Sequence, residues 1–470
     1  DNVKIWYDTA QDADSRMEAA TIYAELLSKA QRPLDAMAVM EEQLQHGGDT
    51  QFALIAAGKD ARDEALQATI SSRLQHLYQT HPNNSDLAFA LAIDAERQER
   101  HEAALQYTKQ LLQLDPSHER GIIYEASILE AMGRDKDATK QLRKAVRQLP
   151  DNRRIKLQYA RLLTKTNLPK SQTVFAELLS DNPYDADLVL SHAMVAKENK
   201  DYLTAIGQFT KLVNLRKHSN IAHYQLGVIA EERGDYAEAE ANYRKINTGG
   251  DAVSAAQKLI TLMGKQQRQE EAQQYMATLR QQLPDYRSNL YLVEARWLTD
   301  SDATTKALRL LSTALKNDLN NTALRFERAI VAEKLGKYAL MESDFRYILL
   351  EKPDDIATLN ALGYALTNHS TRYKEAQQLI EKALAQQPED AAIIDSMGWV
   401  QFKQGELDKA EANLRRAFDK LQDDEIAAHL VELYWVTQRP KQARSVIKTM
   451  RAIGEPTPFV DAVIERFGIR

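Results

Sequence analysis

Along this chain a small residue is followed four positions later by a large apolar one, and the pair recurs about every 34 residues. Stepping from Ala104 by that period in both directions reaches Ala36, Ile70, Ala138, Ser171, Ala205, Ala239, Ala272, Ala307, Met341, Ala376, Ala410 and Ala443. The second member of each pair is Met40, Leu74, Thr108, Leu142, Phe175, Phe209, Tyr243, Met276, Leu311, Phe345, Ile380, Leu414 or Ile447, and only Thr108 among these is polar. Residues i and i+4 share one face of a helix, so the small residue lets a neighbouring backbone approach and the larger one fills the space a turn later. Each pair therefore predicts a helix packed closely on another.

A further series of small residues stands eleven to thirteen positions before the first, at Ala92, Ala126, Ala160, Ala193, Gly227, Ala329, Gly363 and Gly398. It predicts a partner helix ahead of each pair, joined by a short turn such as Arg233-Gly234-Asp235-Tyr236. Twelve positions after the pair's first member come Pro82, Pro116, Pro150, Pro183, Pro284, Pro353 and Pro388. Proline lacks an amide hydrogen and its ring clashes inside a helix, so each ends one helix and opens a turn. The period thus reads as first helix, turn, second helix, proline turn. The predicted fold is all-α, with about 13 helix-turn-helix units filling residues 14–453.

Three places depart from the period. Asn247-Thr248-Gly249-Gly250-Asp251 replaces a proline turn and is expected to precede a short first helix, with an irregular break near residues 247–251. The stretch Thr367 to Tyr373 carries one extra residue, and Pro169 stands where other units have a Gly-Asp turn. Residues 1–13 read as an N-terminal extension. After Gly454-Glu455-Pro456-Thr457-Pro458, the spacing of Phe459, Val460, Val463, Ile464 and Phe467 predicts an amphipathic helix, so residues 454–470 are expected to cap the last unit's apolar face.

The pattern resembles the tetratricopeptide repeat, a helix-turn-helix unit of about 34 residues with small residues, aromatics and proline at these offsets. Leu226-Gly227 with Ala239 and Tyr243, Leu362-Gly363 with Ala376, and Met397-Gly398 with Ala410 and Leu414 carry it most clearly. HEAT and armadillo arrays repeat at about 40 to 47 residues, which this spacing excludes. Frequent glycine and proline also break any continuous heptad seam.

Charge adds exclusions. The 470 residues hold 61 basic and 67 acidic side chains, a net charge of −6, which predicts no polybasic footprint and disfavours a life on phosphate contacts. RNA-reading pentatricopeptide arrays, close in period, are disfavoured for the same reason. With 44% hydrophobic residues but no run near the length of about 18 that a membrane helix needs, no spanning segment is expected. There is no cysteine, so disulfides, thiolate metal sites and thiol nucleophiles drop out. That suits an oxidising compartment. A chain opening on Asp1 rather than methionine is expected to be a processed form.

The resemblance implies that first helices line an inner face able to receive an extended polypeptide. On that register stand Phe89 and Ile93, Leu190 and Met194, Tyr224 and Val228, Phe326, Asn360 and Tyr364, then Asp395, Trp399, Phe402 and Lys403. These form the expected partner-binding face, aromatic toward its C-terminal end, with Asn360, Asp395 and Lys403 as polar contacts. The same side chains would also serve as packing between adjacent first helices, and the sequence leaves both roles open. Repeats that clamp a chaperone's C-terminal carboxylate carry lysine and asparagine one turn apart on the first helix. Tyr224 with Val228, Asn360 with Tyr364, and Asp395 with Trp399 do not fit that clamp.

No phosphate loop, nucleophile elbow, zinc helix or dinucleotide fingerprint occurs. His218 and His223 lie near each other without a third ligand, and surface histidines are the expected reading. No catalytic residue, cofactor or metal is expected, and the repeat leaves no room for a catalytic domain.

The strings Thr358-Leu359-Asn360-Ala361-Leu362-Gly363-Tyr364, Asp395-Ser396-Met397-Gly398-Trp399-Val400, Leu414-Arg415-Arg416-Ala417 and Glu425-Ile426-Ala427-Ala428-His429-Leu430 are similar to those of gammaproteobacterial tetratricopeptide lipoproteins. Among them are lipoprotein adaptors of periplasmic carboxyl-terminal processing proteases. That resemblance implies a periplasmic chain, anchored in the outer membrane through a lipidated cysteine upstream of Asp1. It also implies two kinds of protein partner, the protease and substrates such as peptidoglycan hydrolases. Nucleic acid is not an expected partner. A structural or assembly scaffold of the envelope or secretion machinery, with no protease, is the alternative.

Overall fold

A computed structural model describes residues 2–10, 12–45, 50–58 and 63–469. Its described residues form 28 α-helices, one short 3-10 turn at Pro284–Tyr286 and no strand. Helices pair in hairpins along the chain, for example Ser85–Arg97 with His101–Leu114 and Ala391–Gln404 with Leu407–Lys420.

The two periodic series explain why. All thirteen first members, from Ala36 to Ala443, are at most 2% exposed. Among the second members only Ile447 is partly exposed, and there the neighbouring Val446 is buried. Thr108, the one polar member of the second series, satisfies itself by donating to the Ala104 carbonyl at 2.8 Å. Ser171 donates to the Ala160 carbonyl at 2.7 Å, tying the paired series together across one hairpin. Close approach is most severe at Gly363. A Cβ there would stand 2.6 Å from Ile380 Cγ1 and 2.9 Å from the Ala376 carbonyl oxygen.

Proline turns carry a second device. In Pro82-Asn83-Asn84, Pro150-Asp151-Asn152, Pro353-Asp354-Asp355 and Pro388-Glu389-Asp390 the third residue caps the next helix, its side chain accepting the amide of Leu87, Ile155, Thr358 or Ile393. Such caps satisfy one of the unpaired amides that open every helix. In ten hairpins the turn uses a left-handed residue five positions before the first rung: Gln31, Glu99, Gly133, Lys200, Gly234, Gln267, Asp302, Gly336, Gly405 and Gln438. The two hairpins that depart from the period lack it. Asn167 alone separates Arg153–Thr166 from Leu168–Asp181 and caps the second helix, and Ser370 is extended at φ −148°.

One expectation is corrected. The turn at 247–251 does not precede a short helix: Asp251–Lys265 has 15 residues, whereas the helix before the turn, Tyr236–Tyr243, has 8. The chain abandons that second helix early, and Ile246, beyond its end, is fully buried.

The contacts divide the chain into two compact units, Asp1–Gly234 and Asp235–Arg470. In the first, Asn2–Thr9 packs on Ala13–Lys29, and Tyr7 donates to Glu42 Oε2 at 2.5 Å. In the second, Pro458–Phe467 lies on Asp424–Val436, burying Val460 and Val463. No helix among the described residues is long and apolar enough to cross a membrane.

The second unit also repeats an ion-pair quartet. Glu240, Arg244, Arg268 and Glu271 are joined at 2.7–3.1 Å, and Glu342, Arg346, Arg372 and Glu375 form the equivalent set about three periods on. The Arg372 and Arg346 guanidiniums hold the Glu342 carboxyl down at about 2.

Candidate functional site

The first-helix register places its residues in different settings. In the first unit Phe89 is 7% exposed and edge-on to Tyr124, ring centroids 5.5 Å apart. Ile93 and Leu190 lie against the interior clusters. Met194, one turn beyond Leu190, is 40% exposed. Tyr224 and Val228 are half-buried. In the second unit Phe326 sits edge-on to Phe345 at 5.4 Å. Asn360 is half-buried with a buried Oδ1 that has no hydrogen-bond partner.

The structure draws the C-terminal members together. Three successive hairpins contribute: Ile356–His369 brings Tyr364, Ala391–Gln404 brings Asp395, Trp399, Phe402 and Lys403, and Asp424–Val436 brings Glu425, His429 and Glu432. The Tyr364 hydroxyl donates to Glu425 Oε1 at 2.6 Å and stands 3.2 Å from His429 Nε2. On its other side the imidazole places Nδ1 2.9 Å from Asp395 Oδ2. Trp399 covers this chain of polar groups. Its indole stacks on His429 with centroids 3.9 Å apart and donates to Asn368 Oδ1 at 2.8 Å. Phe402 also stacks on the Trp399 indole at 5.3 Å, and Lys403 Nζ stands 4.1 Å from the centroid of the Trp399 ring. Lys403 also faces Glu432 at 4.0 Å, which Arg466 pairs from the last helix.

Burial sets the electrostatics. Desolvation, reinforced by the Glu425 carboxylate, pushes the Tyr364 hydroxyl far above its ordinary range, so it stays protonated and serves as a donor. Burial lowers Lys403 from its ordinary value against the opposing pull of Glu432. Donors and acceptors in this cluster are largely spent on one another, which fixes three hairpins in register. Among the described residues no group of three or more His, Asp or Glu side chains is placed to hold a metal ion.

Asn368, Glu425, His429 and Glu432 were not among the expected face residues. Extending the inward register one more repeat from Trp399 reaches Glu432 and would have found it. His429 lies off that register and is recruited by its contacts with Asp395 and Trp399.

Two family profiles described as tetratricopeptide repeat match residues 190–252 and 369–431. Over 437 residues the chain is 35% identical to the TPR repeat-containing protein PA4667 of Pseudomonas aeruginosa, covering 92% of this chain and 73% of that one. The chain belongs to the tetratricopeptide-repeat family. Among solved structures, the Naa15/Naa10 complex bound to HypK-THB is 13% identical at a TM-score of 0.44, covering 92% of this chain and 68% of that one. Yeast Tom70 is also 13% identical, at 0.42, over 86% of this chain and 95% of its own. Tetratricopeptide repeats are protein–protein interaction scaffolds, and the fold is generally non-catalytic.

Proposed function

We propose that this tetratricopeptide-repeat chain is a non-catalytic adaptor that binds a carboxyl-terminal processing protease together with protein substrates such as peptidoglycan hydrolases, and so promotes their proteolysis. The observation that carries the scaffold part is the hairpin series itself, which runs from Ala36 to Ala443 with every first rung buried. A chain spent on repeating hairpins has long exposed helix faces to offer and supplies geometry. Holding two partners together raises their effective concentration to about the millimolar range, which increases apparent affinity by about a hundredfold or more without a new bond. The protease part is supported by the resemblance of residues 354–436 to lipoprotein adaptors, which also supports a periplasmic setting with an upstream lipid anchor in the outer membrane. Met194, which is exposed, and Asn360, whose buried Oδ1 has no hydrogen-bond partner, are proposed as partner contacts on the first helices.

Size-exclusion chromatography of the purified chain mixed with a purified carboxyl-terminal processing protease tests the reading. Co-elution, extended by a hydrolase substrate, is expected. Capture of other envelope proteins with no protease complex would favour an assembly scaffold instead.

A further inference from the structure

The near balance of charge over the whole chain conceals a local excess. Between residues 134 and 170 stand twelve basic and three acidic side chains, in a chain whose net charge is −6. Several of these are consumed in ion pairs, as Arg153 is with Asp185 and Arg154 with Glu119. The helix Asp135–Gln148 differs. Its two acids lie in the first turn, and every charged residue after Asp137 is basic. Lys136, Lys140, Arg143, Lys144 and Arg147 are all exposed, and among the described residues none has a carboxylate within salt-bridge distance.

These cations line up. Spacings of three and four residues place Lys136, Lys140, Arg143 with Lys144, and Arg147 along one side of the helix, a stripe about 16 Å long at 1.5 Å per residue. Beside the stripe is a recess of about 720 Å³ whose wall includes Lys109 from the preceding hairpin and Glu125 from the first helix of the same one. No large apolar side chain is exposed between residues 115 and 183. A surface that enters lipid would present some. The half-buried Glu125 carboxylate, together with Asp137, also sets negative charge into the recess, which opposes a densely charged phosphate chain.

We infer that the solvent face of Asp135–Gln148 and its recess form a docking surface for an acidic peptide segment of a protein partner. An extended segment of about five residues spans the stripe at 3.3 Å per residue. Its carboxylates arrive singly, spaced to meet separate lysines and arginines, and its backbone amides can donate to the Glu125 carboxylate. This surface lies on a second helix, apart from the first-helix register, and does not depend on the identity of any protease.

Fluorescence anisotropy with a labelled peptide of alternating glutamate and serine tests the assignment. Binding is expected, weakened at least about tenfold when Lys140, Arg143, Lys144 and Arg147 are all replaced by glutamine, and weakened similarly by raising salt from low to a few tenths molar. Lys448→Gln, an exposed change elsewhere, should leave it unchanged, and circular dichroism with thermal melting checks that each variant remains folded. Peptide binding that the glutamine variant leaves intact would overturn the assignment. So would absence of peptide binding, including the case where phosphatidylglycerol vesicles or polyphosphate bind in its place.

Discussion

Trp399 lies flat on His429, their ring centroids 3.9 Å apart and their planes inclined by 18°. The indole is 5% exposed, and its Nε1 donates to Asn368. Trp399→Ala would therefore open a cavity over the imidazole and strip cover from the His429–Asp395 pair. The expected cost is about 3–5 kcal/mol, concentrated in the C-terminal hairpins because each repeat is held by its neighbours. Hydrogen exchange of Ala391–Gln404 and Asp424–Val436 reads that loss locally, and unchanged protection would show that the ring is not structural.

Left-handed turn residues supply a second expectation. Lys200 and Gln267 hold φ near +60° inside hairpin turns where other repeats use glycine. A side chain in that conformation costs about 1 kcal/mol relative to glycine. Lys200→Gly and Gln267→Gly should each raise the urea midpoint, whereas Gly405→Ala, at φ +82°, should lower it. A neutral or opposite result would mean that these side chains make compensating contacts.

The same turns show what could be read from the chain and what could not. Helical hairpins were legible because a mostly small first rung and a large second one recur about every 34 residues, and all thirteen first rungs are buried. Six of the ten left-handed turn residues are not glycine, so nothing in their identity announces the backbone they adopt. The shortened helix was misplaced across the 247–251 turn because Gly249-Gly250 marks an interruption without saying which side yields. At the candidate site, Tyr364, Asp395 and Trp399 followed from register. Asn368 and His429 did not, because their roles come from partners more than 30 residues away that no local pattern specifies.

The ion-pair quartet around Glu342 makes a pH prediction. Arg372 and Arg346 lower its carboxyl from the ordinary 4.5 to about 2. A folded-state value below the unfolded one gives stability that is fully present above about pH 4.5 and is lost as the pH falls toward 2. The pair is partly solvated, so screening reduces its worth to about 1 kcal/mol. Glu342→Gln should lower stability at neutral pH by that amount and flatten the acid limb between pH 4.5 and 2. A parallel displacement of the whole curve would assign the loss to packing rather than charge.

As proposed, the repeating hairpins present protein partners to one another and perform no chemistry themselves. This is tested most directly by following cleavage of a purified peptidoglycan hydrolase by a carboxyl-terminal processing protease as this chain is titrated in. The rate is expected to rise, to saturate with the chain and to disappear when the protease nucleophile is replaced. A rate indifferent to the chain, or cleavage that persists without an active protease, would contradict it.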